Sequence, residues 1–155
     1  MPAGSEPPPA RPLPVLPHTW RPTGARIAAV VFSVVLIGAF VGLWYSFEEE
    51  TKQAVTVLQR CTVGFFVLVG VALLYAMARS RITAHDAGLT VVNGYRKREY
   101  EWAEVIAIRM PPGAPWPTMD LADGTTVSAM GIHGSDGAPA RAAVSSLKEL
   151  LASRS

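Results

Sequence analysis

The stretch IAAVVFSVVLIGAFVGLWYSF, residues 27–47, is followed after a short loop by CTVGFFVLVGVALLYAMA, residues 61–78. Neither run contains a charged side chain. The first run has twenty-one residues, which at about 1.5 Å per helical residue span about 31 Å, the thickness of a bilayer's hydrocarbon core. Buried helices of soluble proteins rarely run this long without a polar face. The two runs predict a transmembrane hairpin over residues 26–79, with spans 27–47 and 61–78 joined by a loop, 48–60.

The basic residues around the hairpin predict its orientation. Four of them flank its outer ends and two lie in its loop: Arg21, Arg26, Arg79 and Arg81 against Lys52 and Arg60. Lys and Arg are retained on the cytoplasmic side of a membrane. We therefore expect a multi-pass protein of the inner (plasma) membrane with cytoplasmic N- and C-termini. Trp44, Tyr45 and Phe47, beside three glutamates, are typical of an aromatic belt at the outer interface.

Residues 1–25 contain eight of the thirteen prolines. Proline removes backbone donors and fixes φ, so this segment is predicted to be a disordered tail. The run Pro7-Pro8-Pro9 is also compatible with a polyproline II ligand for a partner domain. The apolar run after the tail is too long for a signal-peptide core and lacks a small-residue cleavage site, so we expect no cleavable signal peptide.

The remaining residues, 80–155, are predicted to form one small domain. They carry eight basic and eight acidic residues and are therefore neutral. Non-specific nucleic-acid binding depends on neutralising phosphates with Lys and Arg, so we expect no nucleic-acid partner.

Short alternating segments with turn residues predict strands in this domain. Asn93-Gly94 is typical of a type I′ turn, whose two central residues both need positive φ. This turn predicts a hairpin of residues 89–92 with 95–101. Asp123-Gly124 marks a second tight turn. The other predicted strands cover residues 105–110, 118–121 and 125–130.

The last segment, 138–152, is predicted to be an amphipathic helix. Its apolar stripe is formed by Ala140, Val144, Leu147 and Leu151. Asp136 is expected to cap the start of this helix, with Pro139 tolerated in the first turn.

The order of these elements resembles the bacterial pleckstrin-homology (PH) domain proteins, in particular the actinobacterial group of low-molecular-weight protein antigen 6. The likeness is carried by ITAHDAGLTVVNGYRKREYEWAEVIAI, residues 82–108, and by DLADGTTV, residues 120–127. The resemblance implies a two-span transmembrane α-hairpin followed by a small α+β PH-like domain, a bent antiparallel half-barrel capped by a C-terminal helix. It also implies a binding or scaffolding role.

Arg96, Lys97 and Arg98 lie beside the first hairpin turn, where eukaryotic PH domains often place residues that bind phosphoinositides. Side chains alternate along a strand, so Arg96 and Arg98 share one face and Lys97 points to the other. Two interpretations remain open. The three residues are a contact for anionic lipid headgroups, or they form a solvated strand edge whose charges prevent stray sheet pairing.

Small residues four apart occur in both apolar runs: Gly38 and Gly42 in the first, Ala72 and Ala76 in the second. Such pairs let helix backbones approach closely in lipid. Either they pack the two spans against each other, or Gly38 and Gly42 mediate a homo-oligomer.

We expect neither an enzyme nor a cofactor or metal site. Ser145 and Lys148 have a Ser-x-x-Lys spacing, but no companion motif accompanies them. Cys61, the single cysteine, and three scattered histidines make no metal-binding set. Cys61 is interpreted as a small apolar core residue, with palmitoylation as the alternative.

The sequence therefore predicts a non-catalytic integral membrane protein whose cytoplasmic PH-like domain is a protein-interaction or scaffolding module. Its partners would be membrane lipids and a membrane or cytosolic protein. The alternative is an anionic-lipid sensor that uses the basic arm of the hairpin.

Overall fold

The computed structural model describes residues 13–154. Two long helices pack against each other, α1 (Thr23–Ser46) and α3 (Val57–Arg79), with a short α2 (Glu49–Ala54) between them. Both long helices are long and apolar enough to cross a membrane. Each begins four residues before the predicted span, because residues 23–26 and 57–60 extend the helices at their N-terminal ends.

The connection between the two long helices is well defined by hydrogen bonds. Thr56 begins α3 with a capping box, in which its hydroxyl accepts from the Gln59 N–H at 3.3 Å. The Arg60 guanidinium donates to the backbone oxygens of Lys52 and Val55, and it lies 5.2 Å from the ring centroid of Trp44. A cation is attracted to the face of an indole ring, so Arg60 holds this loop against the end of α1.

Within residues 13–154, seven short strands form two antiparallel sheets. The first sheet has the order β1 (His18–Trp20), β2 (Arg81–Ala84), β3 (Gly88–Asn93), β4 (Arg96–Glu101). The second sheet has the order β5 (Val105–Arg109), β6 (Thr118–Leu121), β7 (Thr126–Ser128). The chain ends with α4 (Ala138–Arg154). The predicted fold class, two apolar helices and then a PH-like half-barrel capped by a C-terminal helix, is confirmed.

The predicted apolar stripe packs α4 onto this half-barrel. Ala140, Val144, Leu147 and Leu151 are all buried, together with Ala143 and Leu150. They join one core with Ile82, Leu89, Ile108 and Met119 from both sheets. Because two small sheets cannot cover their own inner faces, the helix supplies the missing apolar surface.

β1 precedes the helical hairpin in the sequence, but it pairs with β2, which follows the hairpin. Trp20 pairs with Ile82 and His18 with Ala84, and Leu16 and Trp20 pack against the core. The prediction that residues 1–25 form a disordered tail is therefore wrong for β1 and for the start of α1. Residues 18–20 are ordered because they cover the edge of β2. Residues 1–12 lie outside the described residues. The predicted domain, 80–155, thus gains a strand from before the helical hairpin, and its boundaries stay a prediction.

Asp136 holds the start of α1 instead of capping α4. Its two carboxylate oxygens accept from the N–H groups of Thr23 and Gly24 at 3.1 and 2.9 Å. The first N–H groups of a helix have no partner within the helix, so a carboxylate there satisfies them and complements the helix dipole. The expected Asp136 cap of α4 is a wrong prediction, because the carboxylate is already occupied by α1.

Replacing Asp136 with alanine is expected to destabilise the protein by about 1 kcal/mol, the usual effect of removing a helix cap. Thermal unfolding of the full chain in mild detergent measures it. Glu149→Ala is the control, because Glu149 is an exposed residue of α4. Equal melting temperatures for Asp136→Ala and wild type would show that the contact does not hold α1.

Candidate binding site

The turn between β3 and β4 differs from the predicted type I′ turn. Asn93 pairs with Arg96, so the two central residues are Gly94 and Tyr95. Gly94 has φ 59°, and no residue other than glycine in the described chain has positive φ. A positive φ at the first central position alone is the requirement of a type II′ turn. The hairpin is as predicted, but Asn93 belongs to the strand.

The Asn93 side chain bridges the two sheets. Its Nδ2 donates to the backbone oxygen of Ser128 at 2.5 Å, and its Oδ1 accepts from the N–H of Met130 at 3.0 Å. The Asn93 amide thus makes the two hydrogen bonds that the backbone of a neighbouring strand would make. It closes one end of the opening between β4 and β7.

Every second residue of β4 lies on the inner face of the strand, and these residues are Arg96, Arg98 and Tyr100. Arg98 and Tyr100 stand opposite Val91 and Leu89, which are both buried in the core. Side chains paired across neighbouring strands lie on the same face of a sheet. The two arginines therefore extend the core face to the open rim of the half-barrel.

The Lys97 side chain points to the opposite face of β4, where it forms an ion pair with Glu99. Its Nζ lies 2.6 Å from Glu99 Oε1. The hydrogen bond from Lys97 and its charge lower the pKa of the Glu99 carboxyl. Of the three predicted headgroup contacts, the structure brings Arg96 and Arg98 together and separates Lys97 from them.

A cavity of about 580 Å³ lies between β4, β7 and the C-terminal end of α3. Its polar side is formed by Arg96, Arg98, Asn93 and Tyr100, and its apolar side by Leu73, Ala76, Met77, Val127 and Met130. We call this cavity the β4–β7 groove.

The two arginines and the tyrosine hydroxyl of the β4–β7 groove are not paired within the described part of the chain. No described acidic residue forms an ion pair with Arg96 or Arg98. Tyr100 is only 9% exposed, and its hydroxyl is buried with no hydrogen-bond partner among residues 13–154. An unpaired buried hydroxyl costs free energy unless a ligand or water satisfies it.

The groove is fixed to α3 by the β3–β4 turn. Tyr95 Oη donates to the Ala72 oxygen at 2.7 Å, and the Gly94 N–H donates to Ser80 Oγ at 3.0 Å. The Arg79 guanidinium lies 5.5 Å from the Tyr95 ring centroid. A Cβ built on Gly94 would lie 3.4 Å from the Ala76 Cβ. Ala72 and Ala76 therefore face the PH-like domain, a role that the spacing of small residues did not indicate.

Gly38 and Gly42 face away from α3. A Cβ built on either residue meets no atom within 4 Å beyond its own stretch of helix, whereas one at Gly70 meets Leu36 of α1. The interpretation that Gly38 and Gly42 pack the two spans against each other is therefore wrong. A homo-oligomer through this face stays a prediction.

The described residues bring together no metal-binding or catalytic set. Within residues 13–154, no three His, Cys, Asp or Glu side chains could hold a metal ion. His133 Nδ1 lies 2.8 Å from Ser135 Oγ, but it also accepts from the Ser135 N–H and so caps its own turn. What the geometry offers is a binding surface, the β4–β7 groove.

Two sheets of four and three strands, capped by a C-terminal helix, define a PH-like domain. The family model described as Bacterial PH domain matches residues 79–149. An uncharacterized protein of Mycobacterium bovis and two of Mycobacterium tuberculosis are each 33% identical over 136 residues, 88% of this chain and 86% of theirs. No solved structure gives a significant match. The chain belongs to the bacterial PH domain family; its likeness to antigen 6 stays a prediction.

Proposed function

We propose that the protein is a non-catalytic membrane protein whose PH-like domain is a protein-interaction or scaffolding module at the cytoplasmic face of the inner membrane. The observation that carries this proposal is the pairing of β1 with β2 across the helical hairpin. The hairpin is an insertion within the domain, so the domain is held against the membrane by two connections instead of one flexible linker.

The exposure of the helices supports a membrane around them. Only 6% of the most apolar window of α1, and none of that of α3, is buried within the protein. Val34 and Phe66 are 66% and 65% exposed. Water would penalise this apolar surface at about 25 cal/mol per Å², whereas lipid would not.

The strand pairing also constrains the topology. If α1 and α3 both cross the bilayer, β1 and β2 can pair only when both lie on the same side. The hairpin's outer ends hold more Arg than its loop, which favours the cytoplasmic side. The domain and residues 18–20 are then cytoplasmic, and α2 is external.

Labelling with a membrane-impermeant maleimide tests this topology. In a Cys61→Ser background, Glu50→Cys should react in intact cells, whereas Val15→Cys and Ser145→Cys should react only after permeabilisation. All three substituted positions are exposed. Labelling of Val15→Cys and Ser145→Cys from opposite sides would contradict the proposal.

Anionic-lipid sensing is the second candidate function, and the position of Arg96 and Arg98 beside the end of α3 favours it. Each Arg near an anionic leaflet contributes about 1 kcal/mol of attraction. Native mass spectrometry of the full chain should detect anionic lipid retained by wild type and lost from the Arg96→Gln/Arg98→Gln variant. Equal retention by Lys97→Gln is the control, and equal retention by the double variant would exclude this function.

A further inference from the structure

We propose that the β4–β7 groove binds an extended acidic segment of a partner protein, which adds to the free edge of β4 as a strand. This inference rests on the proposed protein-interaction function and names the chemistry of the partner. It is carried by the free edge of β4, by two unpaired arginines and by a tyrosine with an unsatisfied hydroxyl, three features whose residues line one cavity.

The half-barrel is open between its two sheets. β4 is the last strand of the first sheet and β7 the last strand of the second, and the described strands pair neither of them further. Both line the same cavity. A free edge presents N–H and C=O groups at the repeat of a strand, which is the template that an added strand uses.

The register shows which backbone groups of β4 are free. Asn93 and Arg96 close a two-residue turn, so hydrogen-bonded pairs alternate from there and Arg96, Arg98 and Tyr100 bond to β3. The backbone groups of Lys97 and Glu99 therefore point away from β3, and no hydrogen bond within residues 13–154 occupies their N–H groups. The next N–H, of Glu101, is taken by Glu104 Oε2 at 2.7 Å. The free edge thus extends from Lys97 to Glu99 and ends at Glu101.

The side chains of the groove specify an acidic occupant. Arg96 and Arg98 face it without a carboxylate partner in the described chain, and the planar guanidinium binds carboxylates with two parallel hydrogen bonds. Tyr100 lines the same cavity, and its buried hydroxyl has no partner within residues 13–154. Acidic side chains at alternate positions of an added strand would reach both arginines, because side chains two residues apart share a face.

A strand fits these observations better than a lipid does. A lipid headgroup would use the arginines but has no amide groups for the backbone of Lys97 and Glu99. The protein's own first twelve residues are poorly suited to this edge, since five of them are prolines and only Glu6 is acidic. Proline has no N–H for a strand ladder. The partner is therefore a separate chain with an acidic, extended segment near the membrane surface.

The test uses the full chain in nanodiscs of neutral phosphatidylcholine, titrated with the capped peptide Glu-Val-Glu-Val-Glu. We expect saturable binding and slower hydrogen exchange at the amides of Lys97 and Glu99. Arg96→Gln/Arg98→Gln should weaken binding at least tenfold. A peptide of the same sequence with alternate amides N-methylated, which keeps the charge and loses the ladder, should also bind at least tenfold more weakly.

Two variants of Lys97 serve as matched controls. Lys97→Gln should leave peptide binding unchanged, because this side chain points to the other face. Lys97→Pro removes only an N–H that faces away from β3, so the fold should persist by circular dichroism while peptide binding is lost. Equal binding of the N-methylated peptide, or no saturable peptide binding, overturns the proposal. Arginine-dependent retention of anionic lipid without peptide binding would assign the groove to lipid, and the maleimide labelling would still test the membrane topology separately.

Discussion

Replacing residues 22–80 with the dipeptide Asn-Gly is expected to give a soluble, folded domain that needs no membrane. Trp20 and Ile82 are paired antiparallel neighbours, so Arg21 and Arg81 come next to each other at the end of this pair. Asn-Gly is the preferred two-residue connection between such strands. The excised protein should keep all seven strands and α4, which a dispersed ¹H–¹⁵N spectrum and a cooperative thermal transition would demonstrate.

The matched comparison is the fragment of residues 81–155, which is expected to remain largely unfolded. It lacks β1 and with it the packing of Leu16 and Trp20 against the core. Burying one large apolar side chain contributes about 1.5–3 kcal/mol, and a domain of this size is stable by only about 5–15 kcal/mol. The fragment also exposes the edge of β2, which invites aggregation. A stable, monomeric fragment with the same melting temperature as the excised protein would contradict the role of β1.

The apolar helices and the hairpin were predictable because their signals are local. Two uninterrupted runs predict long helices whatever surrounds them, and a glycine turn between alternating residues predicts a hairpin. β1 has no such signal. It is three residues long, lies among prolines and pairs with residues more than sixty positions away, so only the unfilled edge of β2 indicates that a strand is missing.

The residues of the candidate site were predictable from the sequence, but the sequence did not show which face of the sheet points inward. Alternation alone places Arg96 and Arg98 on one face and Lys97 on the other. Which face points inward depends on Leu89 and Val91 and on the second sheet, none of which the local pattern of charges reveals. The type of the Asn93-Gly94 turn was mispredicted for a similar reason: the Asn93 amide is used by the backbone of Ser128 and Met130, far away in the chain.

Gly88→Ala is expected to destabilise the protein by about 3 kcal/mol, at the upper end of the range for overpacked positions. A Cβ on Gly88 would overlap the backbone oxygen of Tyr100 and the backbone of Glu101. Backbone atoms cannot rotate away as a flexible side chain can, so the β3–β4 ladder must separate where Gly88 pairs with Glu101. At about 4–8 °C per kcal/mol for a domain of this size, the melting temperature should fall by more than 10 °C.

The same chemical change at Gly64 is the control, because a Cβ there meets no atom within 4 Å beyond its own stretch of α3. Alanine is favoured over glycine inside a helix by about 1 kcal/mol, so Gly64→Ala should not lower the melting temperature. The strand separation at Gly88 should also displace Tyr100, and with it the neighbouring Arg98. Gly88→Ala should therefore weaken binding of the acidic peptide at a temperature where the variant is still folded. A melting temperature within 2–3 °C of wild type, less than the shift of about 1 kcal/mol, would mean that β3 and β4 are not in the close contact on which the groove depends.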